Sequence, residues 1–281
     1  RNQDQGATCQ DAHGRRRRHL TNRLCGPAGA HTRACSHRRS ERSTRTTLHE
    51  ATRFHVRSHL SIATLLLLCA SAGAQDLGRS ATKVVLPGIT FDLALNEAER
   101  YVQSADGRLT LRSPAKRDNF RDPNGKLSNN TAPMLLSAVD NKKPFTFTAK
   151  VTPTFLDTYD AGALYIWVRD DLWLKMAMER DERRRTRLVT VRTTGTADDN
   201  NHDVVTAPSV YMKISSDTTT VGFYYSLDNE QWQLIRLFRN EYPAKIWLGV
   251  SSQSPVGKGN ASVFEDVVLT QTSVADFRLG K

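Results

Sequence analysis

Apolar and polar positions alternate along residues 107–270, and this pattern predicts an all-β fold. Ten segments carry the period of two that is typical of half-buried strands, and each is bounded by turn residues. The predicted strands span 107–111, 145–151, 162–169, 173–179, 187–193, 209–214, 219–226, 232–238, 246–252 and 261–270. No long stretch keeps a helical period, and 96–101 can form at most a turn or two of helix. Many strands without long helices predict a sandwich of two packed antiparallel sheets.

The segment 162–180 alternates most clearly and predicts a β-hairpin with two different faces. Its even-numbered residues are mostly apolar and are expected to fill the interior. Its large odd-numbered side chains, which are expected on one exposed face of the sheet, are Tyr165, Trp167, Arg169, Trp173, Lys175 and Glu179. Odd residues pair with odd residues if 170–172 form a three-residue loop. That register places Arg169 opposite Trp173 and Lys175 opposite Trp167, so we expect two cation–π pairs.

The same alternation predicts which later residues fill the interior of the sandwich. These are Val210, Met212, Ile214, Val221, Phe223, Tyr225, Ile246, Leu248 and Val250. The long loop at 113–131 contains the turn sequence Asp-Pro-Asn-Gly and is expected to shape a rim beside the sheet. Residues 75–281 have the length of one β-sandwich domain.

Charge and cysteine divide the chain near residue 75. The whole chain has a formal net charge of +11, and residues 1–74, with 13 Arg and 4 acids, carry +9 of it. The part after residue 74 is therefore nearly neutral, at +2. All four Cys and all His except His202 precede residue 75. Residues 75–281 alone therefore cannot form a disulfide, a thiol nucleophile or a Cys/His metal site.

Residues 56–74 predict a signal peptide. Arg57 and His59 precede an apolar run at 60–70, and the small residues 72–74 form a cleavage site before Gln75. No Met precedes Met134, so we expect that 1–55 are disordered or translated upstream sequence, and that Val56 marks a non-standard start. The alternative for 1–55 is a basic arm that binds nucleic acid. A cleaved signal would remove that arm, so we expect a secreted or periplasmic domain at 75–281 with no nucleic-acid partner and no membrane association after cleavage.

The order of several motifs resembles the concanavalin A-like domains of unknown function that include the "regulation of enolase" proteins. The matching stretches are 118–123 (DNFRDP), 131–136 (TAPMLL), 145–151, 159–164 (YDAGAL), 173–179, 224–232, 254–255 and 264–266. The sequence departs from the family pattern after Glu179. The resemblance implies a jelly-roll sandwich whose concave sheet is the usual ligand surface, and it implies no settled activity.

The odd-numbered face of the hairpin predicts non-catalytic binding of a carbohydrate or related polyol. Sugars present apolar C–H patches flanked by hydroxyl groups, so aromatic side chains beside fixed polar groups suit them. One alternative is a hydrolase of laminarinase type, in which Glu179 and Asp181 lie on the same face of the strand. Another is a structural or protein-binding module, and solvated packing of the same residues is a further possibility. Calcium binding by the acidic segment 198–203, which we expect to be a loop, is a weaker alternative. No motif indicates a cofactor, and the sequence does not indicate an oligomeric state.

Overall fold

The computed structural model describes residues 77–281, and the predictions for residues 1–55 and for the signal peptide at 56–74 lie outside this range. The described chain contains one short helix, α1 (Ala98–Tyr101), which confirms the helical turn expected there. The strands are β1 (Arg79–Leu86), β2 (Ile89–Leu95), β3 (Val102–Ala105), β4 (Arg108–Pro114), β5 (Asn119–Arg121), β6 (Ser128–Asn130), β7 (Met134–Asp140), β8 (Phe145–Pro153), β9 (Ala161–Arg169), β10 (Leu172–Arg180), β11 (Thr186–Thr194), β12 (Thr196–Val204), β13 (Val210–Ser216), β14 (Thr220–Ser226), β15 (Gln233–Arg239), β16 (Lys245–Gln253) and β17 (Gly259–Thr270).

Two large antiparallel sheets form a sandwich, which confirms the predicted all-β jelly roll. The larger sheet has eight strands in the order β1-β2-β7-β16-β9-β10-β11-β12, and the smaller has seven in the order β15-β14-β13-β8-β17-β4-β3. A separate two-stranded ribbon joins β5 and β6. All ten predicted strands are present with small differences at their ends. Within residues 77–281, no helix has the length and apolar character needed to cross a membrane.

The space between the two sheets holds the larger hydrophobic core. The even-numbered residues of β9 and β10 point into it, where they join aromatic residues of the smaller sheet such as Phe147, Phe223 and Phe264. The nine residues that the alternation of β13, β14 and β16 predicted to face inward all belong to this core. Period-two patterning therefore predicted the side of the sheet correctly in each of these strands.

The larger sheet is also covered on its other face, by residues 115–133. The ribbon of β5 and β6 lies in this segment, and its Phe120 packs against the second hydrophobic cluster, on the odd-numbered face of the sheet. Two hydrogen bonds fold the segment onto itself, from the backbone N–H of Thr131 and of Ala132 to the carbonyl of Asp118. A third contact ties the segment to the sheet, because the Asn130 side chain donates to the carbonyl of Asp170 over 2.7 Å. The expected rim is therefore a cover, and we call residues 115–133 the covering segment.

The acidic segment 198–203 is a strand, which corrects the expectation of a loop. It lies in β12, which pairs with β11 at the edge of the larger sheet. Charged residues protect such an edge from pairing with another chain. Two of them also bind the smaller sheet, through the Asp198–Arg236 ion pair at 2.6 Å and the Tyr225 hydroxyl donating to Asp203 over 2.8 Å. No group of three or more His, Cys, Asp or Glu residues within 77–281 could hold a metal ion.

We predict that Gly249→Ala destabilises the larger sheet. Gly249 lies in β16 between Leu136 of β7 and Tyr165 of β9. A Cβ atom there would lie 2.1 Å from the carbonyl oxygen of Leu135, so the paired strands must move apart. We expect the free energy of unfolding, measured by urea denaturation, to fall by about 1–3 kcal/mol or more. The control is Ala138→Ser at an exposed position of β7, for which we expect a change within about 0.5 kcal/mol. Equal stability of Gly249→Ala and wild type would contradict this packing.

Candidate functional site

The hairpin of β9 and β10 keeps odd residues opposite odd residues by a different route from the predicted one. Asp170 and Asp171 form a two-residue turn, and Leu172 pairs with Arg169. A β-bulge at Val168 then shifts the register, so that Trp173 pairs with Trp167. The predicted three-residue loop is therefore wrong. The bulge adds the extra residue within the strand, and this preserves the separation of the two faces.

The three aromatic residues of the expected ligand face are buried, which corrects the expectation that they are exposed. Tyr165 and Trp173 are 0% exposed and Trp167 is 2% exposed, because the covering segment lies over them. The rings of Trp167 and Trp173 are parallel within 5° at a centroid distance of 6.5 Å, and Tyr165 lies 5.8 Å from Trp173. These three side chains form the floor beneath the covering segment and are not an accessible platform.

The two expected cation–π pairs are absent, since each cation has another partner. Arg169 lies near the turn, where its guanidinium contacts the carboxylate of Asp171 at 2.7 Å. Lys175 points under the covering segment. The structure therefore separates Arg169 from Lys175 and Glu179, which line the same cavity.

Lys175 is a charged side chain that is only 4% exposed. Its ammonium donates to the carbonyl of Asn119 over 3.2 Å and to the side-chain oxygen of Gln253 over 3.1 Å. The carboxylate of Asp118 lies 4.0 Å away. Gln253 is itself fixed, because its amide donates to the Tyr165 hydroxyl over 2.6 Å. Two partners of the ammonium thus come from the covering segment and one from β16.

A cavity of about 470 Å³ opens between the covering segment, the odd-numbered face of the larger sheet and the loops at 159 and 255. Polar and apolar residues line it in equal number. The polar residues are Asp118, Asn129, Lys175, Glu179, Glu182, Asp199 and Asn201. The apolar and aromatic residues are Phe120, Leu127, Tyr159, Val189, Val191, Pro255 and Val256. A volume of this size is typical of small-molecule sites.

Burial and neighbouring charges change the protonation of the cavity residues. Burial raises the pKa of Glu179 to about 8, even though Lys175 opposes the rise. Burial also raises the pKa of Asp118, again against the influence of Lys175. For Lys175 burial favours the neutral amine, but the nearby Tyr165, Asp118 and Glu179 outweigh it and raise the pKa. At neutral pH the cavity therefore holds an ammonium group beside a protonated Glu179.

Asp181, the partner of Glu179 in the hydrolase alternative, has a structural role in the turn after β10. Its carboxylate accepts backbone N–H groups of Arg183 and Arg185 and contacts the guanidinium groups of Arg185 and Arg187. Burial opposes ionisation, but these donors outweigh it and lower the pKa to about 2. Asp181 therefore does not line the cavity with Glu179, and the expected pair of carboxylates is not formed. Glu182 lines the cavity because β10 ends at Arg180 and the chain turns there.

Sequence reasoning missed most of the cavity wall. The covering segment supplies Asp118, Phe120, Leu127 and Asn129, and β12 supplies Asp199 and Asn201. The sequence offered one signal, since 118–120 lies in a motif shared with the family that the chain resembles. No periodicity marked β12, because polar residues occupy both of its faces.

The profile of a family described as "Protein of unknown function (DUF1349)" matches residues 95–272 of the chain. That description makes no reference to "regulation of enolase", so this part of the resemblance stays a prediction. No curated protein matches the chain significantly.

Two solved structures illustrate the fold. A functionally unknown protein from Saccharomyces cerevisiae matches with a TM-score of 0.59 and 21% identity, over 64% of this chain and 96% of that chain. The GH43 protein BlXynB from Bacillus licheniformis matches with a TM-score of 0.51 and 13% identity, over 65% of this chain and 36% of that chain. The chain thus spans about a third of the length of the Bacillus protein. At these identities the similarity shows the sandwich fold alone.

We predict that Glu179 makes stability depend on pH. The folded protein keeps the Glu179 proton up to about pH 8, whereas the ordinary value in an unfolded chain is 4.5. Between these values the folded state binds more protons, so the free energy of unfolding falls as pH rises. Glu179→Gln removes this dependence. As pH rises through this window, we expect the free energy of unfolding of the variant to rise relative to that of wild type by at least about 1.4 kcal/mol. This energy corresponds to a shift of one pKa unit.

Urea denaturation at a series of pH values measures this difference. Glu182→Gln is the control, because it removes another carboxyl group that lines the same cavity. We expect no comparable rise in its free energy of unfolding relative to wild type. A stability difference between Glu179→Gln and wild type that stays constant across the window would show that Glu179 titrates at its ordinary value.

Proposed function

Because the chain belongs to the DUF1349 family, whose description assigns no activity, its function rests on its site, and we propose that it binds a carbohydrate or related polyol. The ligand occupies the cavity at Lys175 and Glu179 and is not cleaved. We propose in addition that residues 56–74 direct the domain to the periplasm or out of the cell. This second proposal rests on the sequence of that segment.

The observation that carries the binding proposal is the pair formed by Lys175 and Glu179 at the base of the cavity. Three neighbours already hold the Lys175 side chain in place, so it loses no conformational entropy when a ligand binds. The carboxyl group of Glu179 is half-buried and has no hydrogen bond or ion pair with any residue of 77–281. It is therefore available to a hydroxyl group, either as donor or as acceptor.

The mouth of the cavity suits the apolar faces of sugar rings. Leu127 is 53% exposed, Val256 is 44% exposed and Tyr159 is 40% exposed, and all three line the cavity. Asn129 and Asn201 supply amide groups to the same wall. Apolar contact at the rim with a few fixed polar groups below is the arrangement that orients a polyol.

Hydrolysis of the bound sugar is a second candidate function, favoured by the pKa of Glu179. A carboxyl group that holds its proton to about pH 8 can act as a general acid. The second carboxylate would be Asp118, Asp199 or Glu182, because Asp181 is held by the turn after β10. Release of reducing sugar from a bound oligosaccharide, lost in Glu179→Gln, would establish this activity in place of simple binding.

We predict that a glycan array identifies bound oligosaccharides and that Asn201→Ala weakens their binding. The array is probed with purified 75–281, and isothermal titration calorimetry measures affinity for each positive glycan. Asn201 lines the cavity, whereas its neighbour Asn200 lies on the other face of β12. We expect Asn201→Ala to lower affinity about tenfold through loss of a hydrogen bond, and Asn200→Ala to leave it unchanged.

Three results would count against the proposed function. An array without any positive glycan removes the carbohydrate proposal. Equal affinity of Asn201→Ala and wild type places the ligand elsewhere on the domain, and equal losses in both variants indicate a general effect of β12.

A further inference from the structure

The wall of the cavity carries an excess of acidic groups. Four carboxyl groups line it, from Asp118, Glu179, Glu182 and Asp199, and Lys175 is the single basic residue among the described residues of the lining. The described domain as a whole is nearly neutral, so this excess is a local property. A protein that leaves several carboxyl groups around one small-molecule cavity favours a ligand of opposite charge.

The single cation is already engaged by the protein. The Lys175 ammonium donates to Asn119 and Gln253 and lies 4.0 Å from Asp118, which leaves it little capacity for an anionic ligand. The carboxyl group of Glu179, in contrast, has no hydrogen bond or ion pair within residues 77–281, and Asp199 is exposed on the edge strand. Within residues 77–281, the carboxyl groups of Glu179 and Asp199 are therefore unpaired, whereas the one cation of the cavity is paired.

A metal ion does not account for these carboxyl groups. No three acidic, His or Cys side chains among the described residues are close enough to share an ion. The carboxyl groups are instead distributed around a space that holds a molecule of several rings or substituents. Burial raises the pKa values of Asp118 and Glu179, and a cationic ligand would favour ionisation of both groups.

We infer that the polyol bound in this cavity carries a cationic amine, and that the ligand is an amino sugar with free ammonium groups. This inference rests on the proposed function and specifies its ligand class. An ammonium group bound near Glu179 and Asp199 gives the unpaired carboxylates a charged hydrogen-bond donor. Uronic acids and phosphorylated sugars would place an anion among carboxylates and are disfavoured.

Matched oligosaccharides test the charge of the ligand. The probes are tetramers of identical linkage made of glucosamine, N-acetylglucosamine or glucose, together with a galacturonic acid tetramer. Calorimetric titration is carried out at a pH where the glucosamine amines are protonated. We expect the glucosamine tetramer to bind about tenfold more tightly than the acetylated and neutral tetramers, and this preference to weaken with added salt. We expect no binding of the galacturonic acid tetramer.

Substitution of an acid in the cavity separates charge recognition from general binding. Glu179→Gln keeps the shape of the side chain but cannot ionise when an ammonium group binds beside it, so we expect the ratio of the affinities for glucosamine and N-acetylglucosamine to fall close to one. The control is Glu230→Gln, which removes an exposed acid in the turn between β14 and β15 and is expected to keep the wild-type preference. Circular dichroism and urea denaturation confirm that each variant is folded.

The outcomes distinguish this inference from the proposed function. Equal or tighter binding of the neutral tetramers overturns the amino-sugar inference and leaves carbohydrate binding intact. Failure of all tetramers together with a silent glycan array overturns both. Spermidine is the amine without a sugar ring, and if it binds as tightly as the glucosamine tetramer, the ligand is an amine and the polyol assignment is wrong. A Glu179→Gln variant with unchanged preference also overturns the inference.

Discussion

Burial of the Lys175 ammonium couples the covering segment to the larger sheet. An ammonium group removed from water costs several kcal/mol unless acceptors surround it. Asn119 and Asp118 supply two of those partners from the covering segment, and Gln253 supplies the third from β16. The covering segment must therefore lie on the sheet for the charge to be tolerated. Its position in turn buries the aromatic floor and defines one wall of the cavity.

The sequence predicted the faces of the sheet because a period of two is a local property. Even-numbered residues of β9 and β10 fill the core between the sheets, and odd-numbered residues form the second cluster, as expected. The pattern could not show that something covers the second face. The covering segment has strands of only three residues each, β5 and β6, and is placed by tertiary contacts such as that between Asn130 and Asp170. Exposure of Trp167 and Trp173 was therefore inferred wrongly from a correct pattern.

The same limit applies to the candidate site. Lys175 and Glu179 were identified because they lie on the strand with the strongest alternation, and both line the cavity. Asp199 and Asn201 were missed because β12 is an edge strand whose polar side chains resemble a loop. Asp181 was chosen by its spacing from Glu179, but β10 ends at Arg180, and the following turn uses the Asp181 carboxylate as an acceptor for its own N–H groups. Strand ends are set by such local competition, which alternation does not report.

The distribution of charge indicates how selectivity would arise in this domain. With a net charge near +2 on residues 75–281, the domain as a whole does not attract cations from a distance. Screening limits the influence of the cavity carboxylates to about 8 Å at physiological salt. Inside the cavity, burial opposes the ionisation of Glu179 and raises its pKa, so this carboxyl group ionises only when a cation comes close to it. Discrimination between ligands would therefore occur inside the cavity, where Glu179 contacts the ligand. The apolar residues at the mouth contact sugars regardless of their charge.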